Sequence, residues 1–458
     1  MTGLNQLDVQ NRLDELAAKY DVPGASLAIL TPDGVITAAT GSINLETGVA
    51  ASPGTLFQIG SITKIYTTAL VARLVERGEL DLDVPVTTYL PELRVADATA
   101  TATTTLRHLL SHTSGIDGDH FLDTGRGDDV LEKYVASCAE LTQQFPVGTS
   151  HSYCNAGFVI AGRVLEKITG KVWDEVLRDE LLIPLGLAHT WTLPEDLLRF
   201  STACGHLGEP GSLRVTPQWG MPRSTGPAGL INATAEDVVR FANAFLSDGA
   251  TPDGTQWLTL ESVKFLLEPQ IDVPNPYTLG AQWALGWILY NSVDGRVVYG
   301  HDGATLGQGA ALRLVPDRGV AVALLANGGA IGDLQRALLT EILRETADLE
   351  LAPLPEPVDG ASGGDRSTQV GTYARASATY VFEESGDHGL TLSVTNTSHL
   401  AEVMSAKPVV VELLPVSENV YVARLPGADT WTSLVFYALS DGSQYVHFGA
   451  RATARVAG

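Results

Sequence analysis

The chain has 458 residues, 45% of them hydrophobic and 18% charged, which describes a globular protein able to bury more than one core and sets an expectation of two or three domains. Its 53 acidic residues outnumber 29 basic ones, for a formal net charge of −24; that balance, with no run of Lys and Arg, excludes a broad nucleic-acid or anionic-membrane surface. Cys138, Cys154 and Cys204 form an odd, sparse set without metal-ligand spacing, and the first residues show neither a basic leader nor a long apolar stretch, so a cytoplasmic location without a membrane span is expected.

From about Leu4 to Tyr20, apolar residues at Leu7, Leu13, Leu16, Ala17 and Tyr20 predict a helix with one buried stripe. Ala25 to Leu30 and Val35 to Thr40, joined by Thr31-Pro32-Asp33-Gly34, read as a hairpin, because Pro-Asp-Gly between two apolar runs is a turn. Then Gly60-Ser61-Ile62-Thr63-Lys64 opens a helix that continues from Ile65 to Val75. Three residues apart on a helix, Ser61 and Lys64 share one face. A serine hydroxyl is a weak nucleophile at neutral pH, but a neutral lysine amine beside it can take its proton. The helix start adds free N–H groups and the positive end of the dipole, which favour an oxyanion. A serine at a helix start is more often only a cap. Of the seven lysines, Lys64 alone follows a serine by three residues.

Leu106 to Ser114 reads as a short helix carrying His108 and His112 four apart; with no third ligand in view, both are expected to be structural. Before a helix from Phe158 to Ile168 comes a loop ending in Tyr153-Cys154-Asn155, where alternate residues project to one side. There a phenol can relay a proton, and an amide can orient Lys64 or a substrate carbonyl. Residues Ala235 to Ser247 form a further helix with Thr234 as its cap. Trp283 to Tyr290, Arg296 to Tyr299, Gly309 to Val315 and Val320 to Ala326 read as antiparallel strands, with Gly300-His301-Asp302-Gly303-Ala304 between the second and third. At that point an imidazole can shuttle protons near neutral pH, and the small Gly303 and Ala304 let a substrate lie along a strand edge.

A helix from about Ile331 to Ala347 closes this part, and the Pro- and Gly-rich residues 351–368 read as a linker. Tyr373 to Phe382, Leu390 to Val394, Val409 to Leu414, Val420 to Leu425, Trp431 to Leu439 and Gln444 to Phe448 then look like the strands of a separate small barrel over 369–458.

With Ser61-Ile62-Thr63-Lys64, Tyr153-Cys154-Asn155 and His301-Asp302-Gly303 in this order, and with Leu109-Leu110-Ser111-His112-Thr113-Ser114-Gly115 between the first two, the chain resembles the penicillin-recognising serine hydrolases: class C β-lactamases, DD-peptidases, D-aminopeptidases and related esterases. The resemblance covers roughly residues 5 to 345. It implies an α+β fold over residues 1–350, with an antiparallel sheet, flanking helices and a helical domain inserted from about 66 to 225. It also implies Ser61 as nucleophile, Lys64 as base, Tyr153 as proton relay, Asn155 as orienting amide and His301 in the place of a third-motif lysine. The N–H groups of Ser61 and Ala304, with Gly303 beside them, would form the oxyanion hole. No cofactor or metal is implied. Histidine at 301 departs from the β-lactamases, whose lysine there meets the antibiotic's carboxylate, and looks more like esterases, D-peptidases and acyltransferases.

The added C-terminal barrel, expected to be lipocalin-like, is similar to that of stand-alone penicillin-binding-protein-type thioesterases, which release and macrocyclise nonribosomal peptides. That group implies a small-molecule or peptidyl substrate and, as donor, a peptidyl carrier protein. Cytoplasmic D-aminopeptidase or carboxylesterase activity is the alternative, and a non-catalytic acyl or peptide receptor the rival class. Arg451, in Phe448-Gly449-Ala450-Arg451, is a candidate for reaching over the cleft to a carboxylate or carbonyl.

Overall fold

A computed structural model describes residues 5–209, 211–386, 389–397, 407–426, 428 and 430–456. Helix α1 (Gln6–Lys19) starts where the Asn5 side chain accepts the N–H of Asp8, and it buries Val9, Leu13 and Ala17 at helical spacing. Leu7, placed in the stripe by the sequence, faces solvent, and Leu4 lies outside the described residues. The chain then makes the hairpin of β1 (Gly24–Thr31) and β2 (Gly34–Asn44) around Pro32-Asp33, followed by the short β3 (Val49–Ala50).

The remaining strands of this sheet come some 220 residues later: β4 (Ile271–Asp272), β5 (Gln282–Trp283), β6 (Ile288–Asn291), β7 (Val297–Thr305), β8 (Gln308–Val315) and β9 (Val320–Ala326). Nine strands pair antiparallel in the order β3-β2-β1-β9-β8-β7-β6-β5-β4. Two sequence expectations shift here. The run from Trp283 to Tyr290 is two strands, broken at Gly286, whose φ of +77° permits the reversal. The His301 motif does not sit between strands: the pairing of His301 with Leu312 and Gly303 with Ala310 carries it through the interior of β7.

Both faces of β1 and β9 are buried, with alternate residues serving two cores. Leu27, Ile29, Val322 and Leu324 pack under α1 and α5 (Ile331–Ala347), whereas Ala28, Ala323 and Leu325 face α2 (Thr63–Glu76) and α4 (Ala235–Leu246). Between α2 and α4 lies a mainly helical excursion that includes Leu106–Leu110, Val130–Ser137 and α3 (Asn155–Thr169). Helix α3 begins three residues earlier than the sequence suggested. Cys154 is its cap, its buried Sγ accepting from Gly157 N at 3.3 Å, so Asn155 lies in the first helical turn rather than in an extended loop. Among the described residues no helix is long and apolar enough to cross a membrane.

Eight strands, β10 (Gly371–Arg375), β11 (Ala378–Ser385), β12 (Gly389–Asn396), β13 (Val409–Pro415), β14 (Val420–Ala423), β15 (Thr432–Ala438), β16 (Gln444–Phe448) and β17 (Arg451–Arg455), close into a barrel when β17 pairs with β10. The sequence reading merged β10 with β11 and ended before β17. The barrel interior is filled by Tyr373, Tyr380, Phe382, Leu392, Tyr421 and Phe436, each worth about 1.5–3 kcal/mol of burial, since eight strands leave room for side chains to fill the inside.

The barrel is hydrogen-bonded to the rest of the chain on two sides. Ala450 O accepts Tyr153 N–H at 2.9 Å, Ala452 N donates to Ser152 Oγ at 3.2 Å, and Tyr445 OH donates to Gln144 O at 3.0 Å. From the other side the buried Asn275 donates to Ser433 O at 3.0 Å and His447 O at 3.3 Å. Gly449 and Ala450 make the β16–β17 turn with φ of +56° and +63°, and the alanine, an unusual residue in the left-handed region, is the one held by Tyr153. Residues 351–368, the expected linker, run from the main sheet to the barrel: Ala352 N donates to Asn291 O at 2.9 Å, and Gly364 N donates to Glu418 O at 2.7 Å.

Candidate active site

A short turn of helix, Gly60–Ile62, precedes α2 and carries Ser61 half-buried at its centre. One turn on, Lys64 is completely buried, and its Nζ lies 3.0 Å from Ser61 Oγ and 2.6 Å from the carbonyl oxygen of Ala228. Burial holds the lysine pKa well below its usual range; the Arg451 charge lowers it further, against Asp119 and Cys154. A neutral amine in this position donates to Ala228 O and offers its lone pair to the serine hydroxyl.

The serine backbone is brought against β7 by two glycines. Gly60 has φ of +51°, and a Cβ there would stand 2.7 Å from Ala304 N; a Cβ on Gly303 would run into the Ile59 carbonyl and come within 3.1 Å of Ser61 N. With no side chain between them, the backbones of Ser61 and Ala304 lie side by side. Ala304 itself is exposed. The neighbour that Gly60 makes room for is β7.

Tyr153 stands over the same group, its ring centroid 4.9 Å from Lys64 Nζ. Its hydroxyl is buried without a full hydrogen bond, although Ser61 is near enough to favour the phenolate; burial outweighs that and the Arg451 charge, so the phenol is held above its ordinary range. The ring is caged: His112 stacks on it at 4.3 Å, Trp283 meets it edge-on at 5.7 Å, and His301 lies 6.1 Å away. His112 Nδ1 accepts Cys154 N–H at 2.9 Å, which links the cage to the cap of α3, while His108 Nδ1 accepts Thr105 N–H at 3.2 Å. Both histidines thus have structural work. Among the described residues no group of three or more His, Cys, Asp or Glu is arranged to hold a metal ion.

His301 Nδ1 is 2.6 Å from the carbonyl oxygen of Asp302, so Nδ1 carries the hydrogen and Nε2 keeps an unpartnered, buried lone pair. Burial, with Lys64 second, pushes its pKa down to about 3. The expectation that it shuttles protons near neutral pH is corrected accordingly: at pH 7 this imidazole is a neutral acceptor. Asn155 also differs from expectation, since its amide donates to Asp119 Oδ1 at 3.0 Å rather than to Lys64. Arg451 does reach the site. It is anchored on Asp119, donates from Nη1 to Gly449 O at 2.8 Å, and places its guanidinium 4.8 Å from the Tyr153 ring centroid. Sequence reasoning missed Asp119, Arg375, Trp283 and the pairing of His151 with His447 across the barrel junction, where Nδ1 and Nε2 are 3.5 Å apart.

Burial also pushes His447 down to about 3 and lowers His112 and His151 well below their usual value. Unfolded histidines bind a proton near pH 6.5, so between that pH and about 3 the unfolded chain holds protons that the folded chain does not. Stability therefore falls as the pH drops through this window, with each such histidine contributing up to about 1.4 kcal/mol per pH unit. Urea unfolding midpoints measured from pH 7.5 to 4.5 are expected to decline, and His447→Gln is expected to flatten the decline. A slope unchanged by that substitution would show His447 titrating normally in the folded protein.

The β-lactamase family model matches residues 9–344. Penicillin-binding protein 4 of Amycolatopsis lactamdurans is 44% identical over 369 residues, spanning 80% of this chain and 97% of that protein. The unguisins hydrolase ungD' of Aspergillus campestris is 28% identical over 327 residues, 68% of this chain but only 59% of its own length. Among solved structures, SurE with D-Leu superposes with a TM-score of 0.76 at 29% identity, covering 98% of this chain and 99% of that one, so the likeness extends through the barrel. With the family model spanning the sheet, α2, α3 and β7, the chain belongs to the β-lactamase family of serine hydrolases.

Proposed function

We propose that this chain is an acyltransferase that loads a peptide from a thioester onto Ser61 and releases it by attack of the peptide's own amine, as a penicillin-binding-protein-type thioesterase. Lys64 Nζ takes the Ser61 hydroxyl proton as Oγ adds to the thioester carbonyl. The oxyanion is received by the N–H groups of Ser61 and Ala304. Collapse breaks the C–S bond, and the thiolate leaves with the proton from Lys64, with the Tyr153 hydroxyl as relay. In the second half the peptide amine adds to the ester carbonyl, its proton passes to Lys64 and on to Oγ as the C–Oγ bond breaks, and the amide and free Ser61 hydroxyl result. Asn155 and Arg451 orient the chain, and the donor is a peptidyl carrier protein.

The observation that carries this reading is Lys64, neutral by burial and 3.0 Å from Ser61, in a site whose tyrosine is bonded through its backbone to the barrel. A tethered amine competes with water only where the site excludes water and holds the chain, and the nearness of barrel residue Arg451, 4.8 Å from the Tyr153 ring centroid, supports such cover. SurE was solved with D-Leu, which favours a D-residue at the acyl carbon. Aminopeptidase activity is the weaker alternative. It needs a free carboxylate for the substrate's ammonium group, and Asp119 and Asp302 are each paired with arginine.

The test is mass spectrometry of protein and products after incubation with a peptidyl thioester bearing a free N-terminal amine and a C-terminal D-residue. Acyl adduct on the peptide containing Ser61, with cyclic product, is expected. Linear acid as the sole product would make the chain a hydrolase, and absence of an adduct would overturn the substrate class.

A further inference from the structure

Asp119 is the most heavily bonded side chain of the site, and nothing in its sequence context advertises it. Its Oδ1 accepts from Arg451 Nη2 at 2.8 Å and from Asn155 Nδ2 at 3.0 Å; its Oδ2 accepts from Arg451 Nε at 3.0 Å and from Arg375 Nη1 at 2.8 Å. Arg375 ends β10 and Arg451 begins β17, the two strands that close the barrel, whereas Asn155 opens α3 beside Tyr153. The three charged side chains are 10–22% exposed, with Arg451 the most open.

We propose that Asp119 is a positioning residue: one carboxylate that fixes Arg451 above Tyr153 and Asn155 at the start of α3, so that barrel docking and the cleft-facing donors share a single anchor. The proposal rests on the reading of Ser61 as acyl carrier. A guanidinium has five N–H groups, and with Nε and Nη2 on Asp119 and Nη1 on Gly449 O, Arg451 retains two for a substrate carbonyl or carboxylate in a fixed orientation. Without the carboxylate fork the same side chain is free to turn, and a displacement of about 1 Å in such a group costs up to about a hundredfold in rate. Asp119 has a second effect on the reaction, because its charge opposes that of Arg451 at Lys64.

The experiment is single-turnover thiol release from the C-terminal D-residue peptidyl thioester, measured across pH with the full chain. Asp119→Asn is expected to slow acylation by about tenfold to a hundredfold, mainly through weaker substrate binding. It should also move the ascending limb of the pH profile to lower pH, since the Arg451 charge beside Lys64 is then unopposed. In an Arg451→Ala background the same substitution should have a smaller effect than in the wild-type chain, since only the Asn155 anchor is then left to lose. Arg451→Lys keeps the charge but not the fork, and is expected to slow acylation at least about tenfold, which retains a test if Asp119→Asn does not fold. Wild-type acylation by either folded variant, or losses that simply add in the double variant, would overturn the positioning role. Failure of the wild-type chain to acylate at Ser61 would overturn the functional reading instead.

Discussion

Replacing Lys64 by methionine is expected to slow acylation of Ser61 by about a thousandfold while leaving the fold in place. The rate loss follows from the geometry: Nζ lies within hydrogen-bond reach of Oγ, and the second basic side chain nearby, His301, has its Nδ1 bonded to the Asp302 carbonyl and its pKa pushed down to about 3. The fold survives because methionine matches the buried stem of lysine in length and brings no charge inside. One carbonyl, that of Ala228, loses its partner, at about 1–3 kcal/mol. Single-turnover acylation and thermal unfolding separate the two effects. The pH profile adds a third readout. In the wild-type protein activity is expected to rise with pH as Lys64 loses its proton, with a midpoint held well below 10.5 by burial, and the variant should lose that ascending limb. A variant that acylates within tenfold of wild type would remove Lys64 as the base.

Adding a single methyl group at Gly303 is expected to cost about a hundredfold to a thousandfold in the same rate, the range for losing one oxyanion donor. The Cβ of Gly303→Ala would enter the Ile59 carbonyl, so β7 must retreat from the Gly60–Ile62 turn and carry Ala304 away from Ser61. Overpacking of this kind also lowers stability, by about 1–3 kcal/mol. Gly332→Ala is the matched control. A Cβ there meets nothing within 4 Å, and the site is in α5, where alanine favours the helix; activity should be unchanged. Equal activity in both variants would mean that the close approach of β7 to Ser61 is dispensable.

Much of this site can be read from the chain because its chemistry is local. Ser61 and Lys64 are one helical turn apart, so periodicity alone brings them together, and the flanking turn and hairpin carry Gly and Pro-Asp-Gly signals. What the sequence hides are contacts made across hundreds of residues. Asp119 is one of three aspartates in a loop, with Asp117 and Asp123 close by in sequence, and its partners Arg375 and Arg451 lie 256 and 332 positions away. Cys154 conceals the start of α3, since a thiol is an uncommon cap. His301 looks like a neutral-pH proton shuttle by residue type, and only its burial beside Lys64 reveals that it stays uncharged. The barrel was legible from its short apolar runs, but not the strand that closes it, because β17 pairs with β10 across the length of the domain and its run, Arg451–Arg455, is short and half polar.

The centre of the main sheet carries a consequence for how the molecule forms. Strand β1 pairs on one side with its hairpin partner β2 and on the other with β9, where Ala25 meets Ala326. Formation of that ladder must close a loop of about 300 residues, an entropic cost that comes before any of the pairing is gained. Until then the β1–β2 hairpin has an unpaired apolar edge, a template for joining another chain. Refolding from denaturant should accordingly be slow, and its yield should fall as protein concentration rises, with aggregation nucleated at Gly24–Thr31 rather than at the locally formed helices.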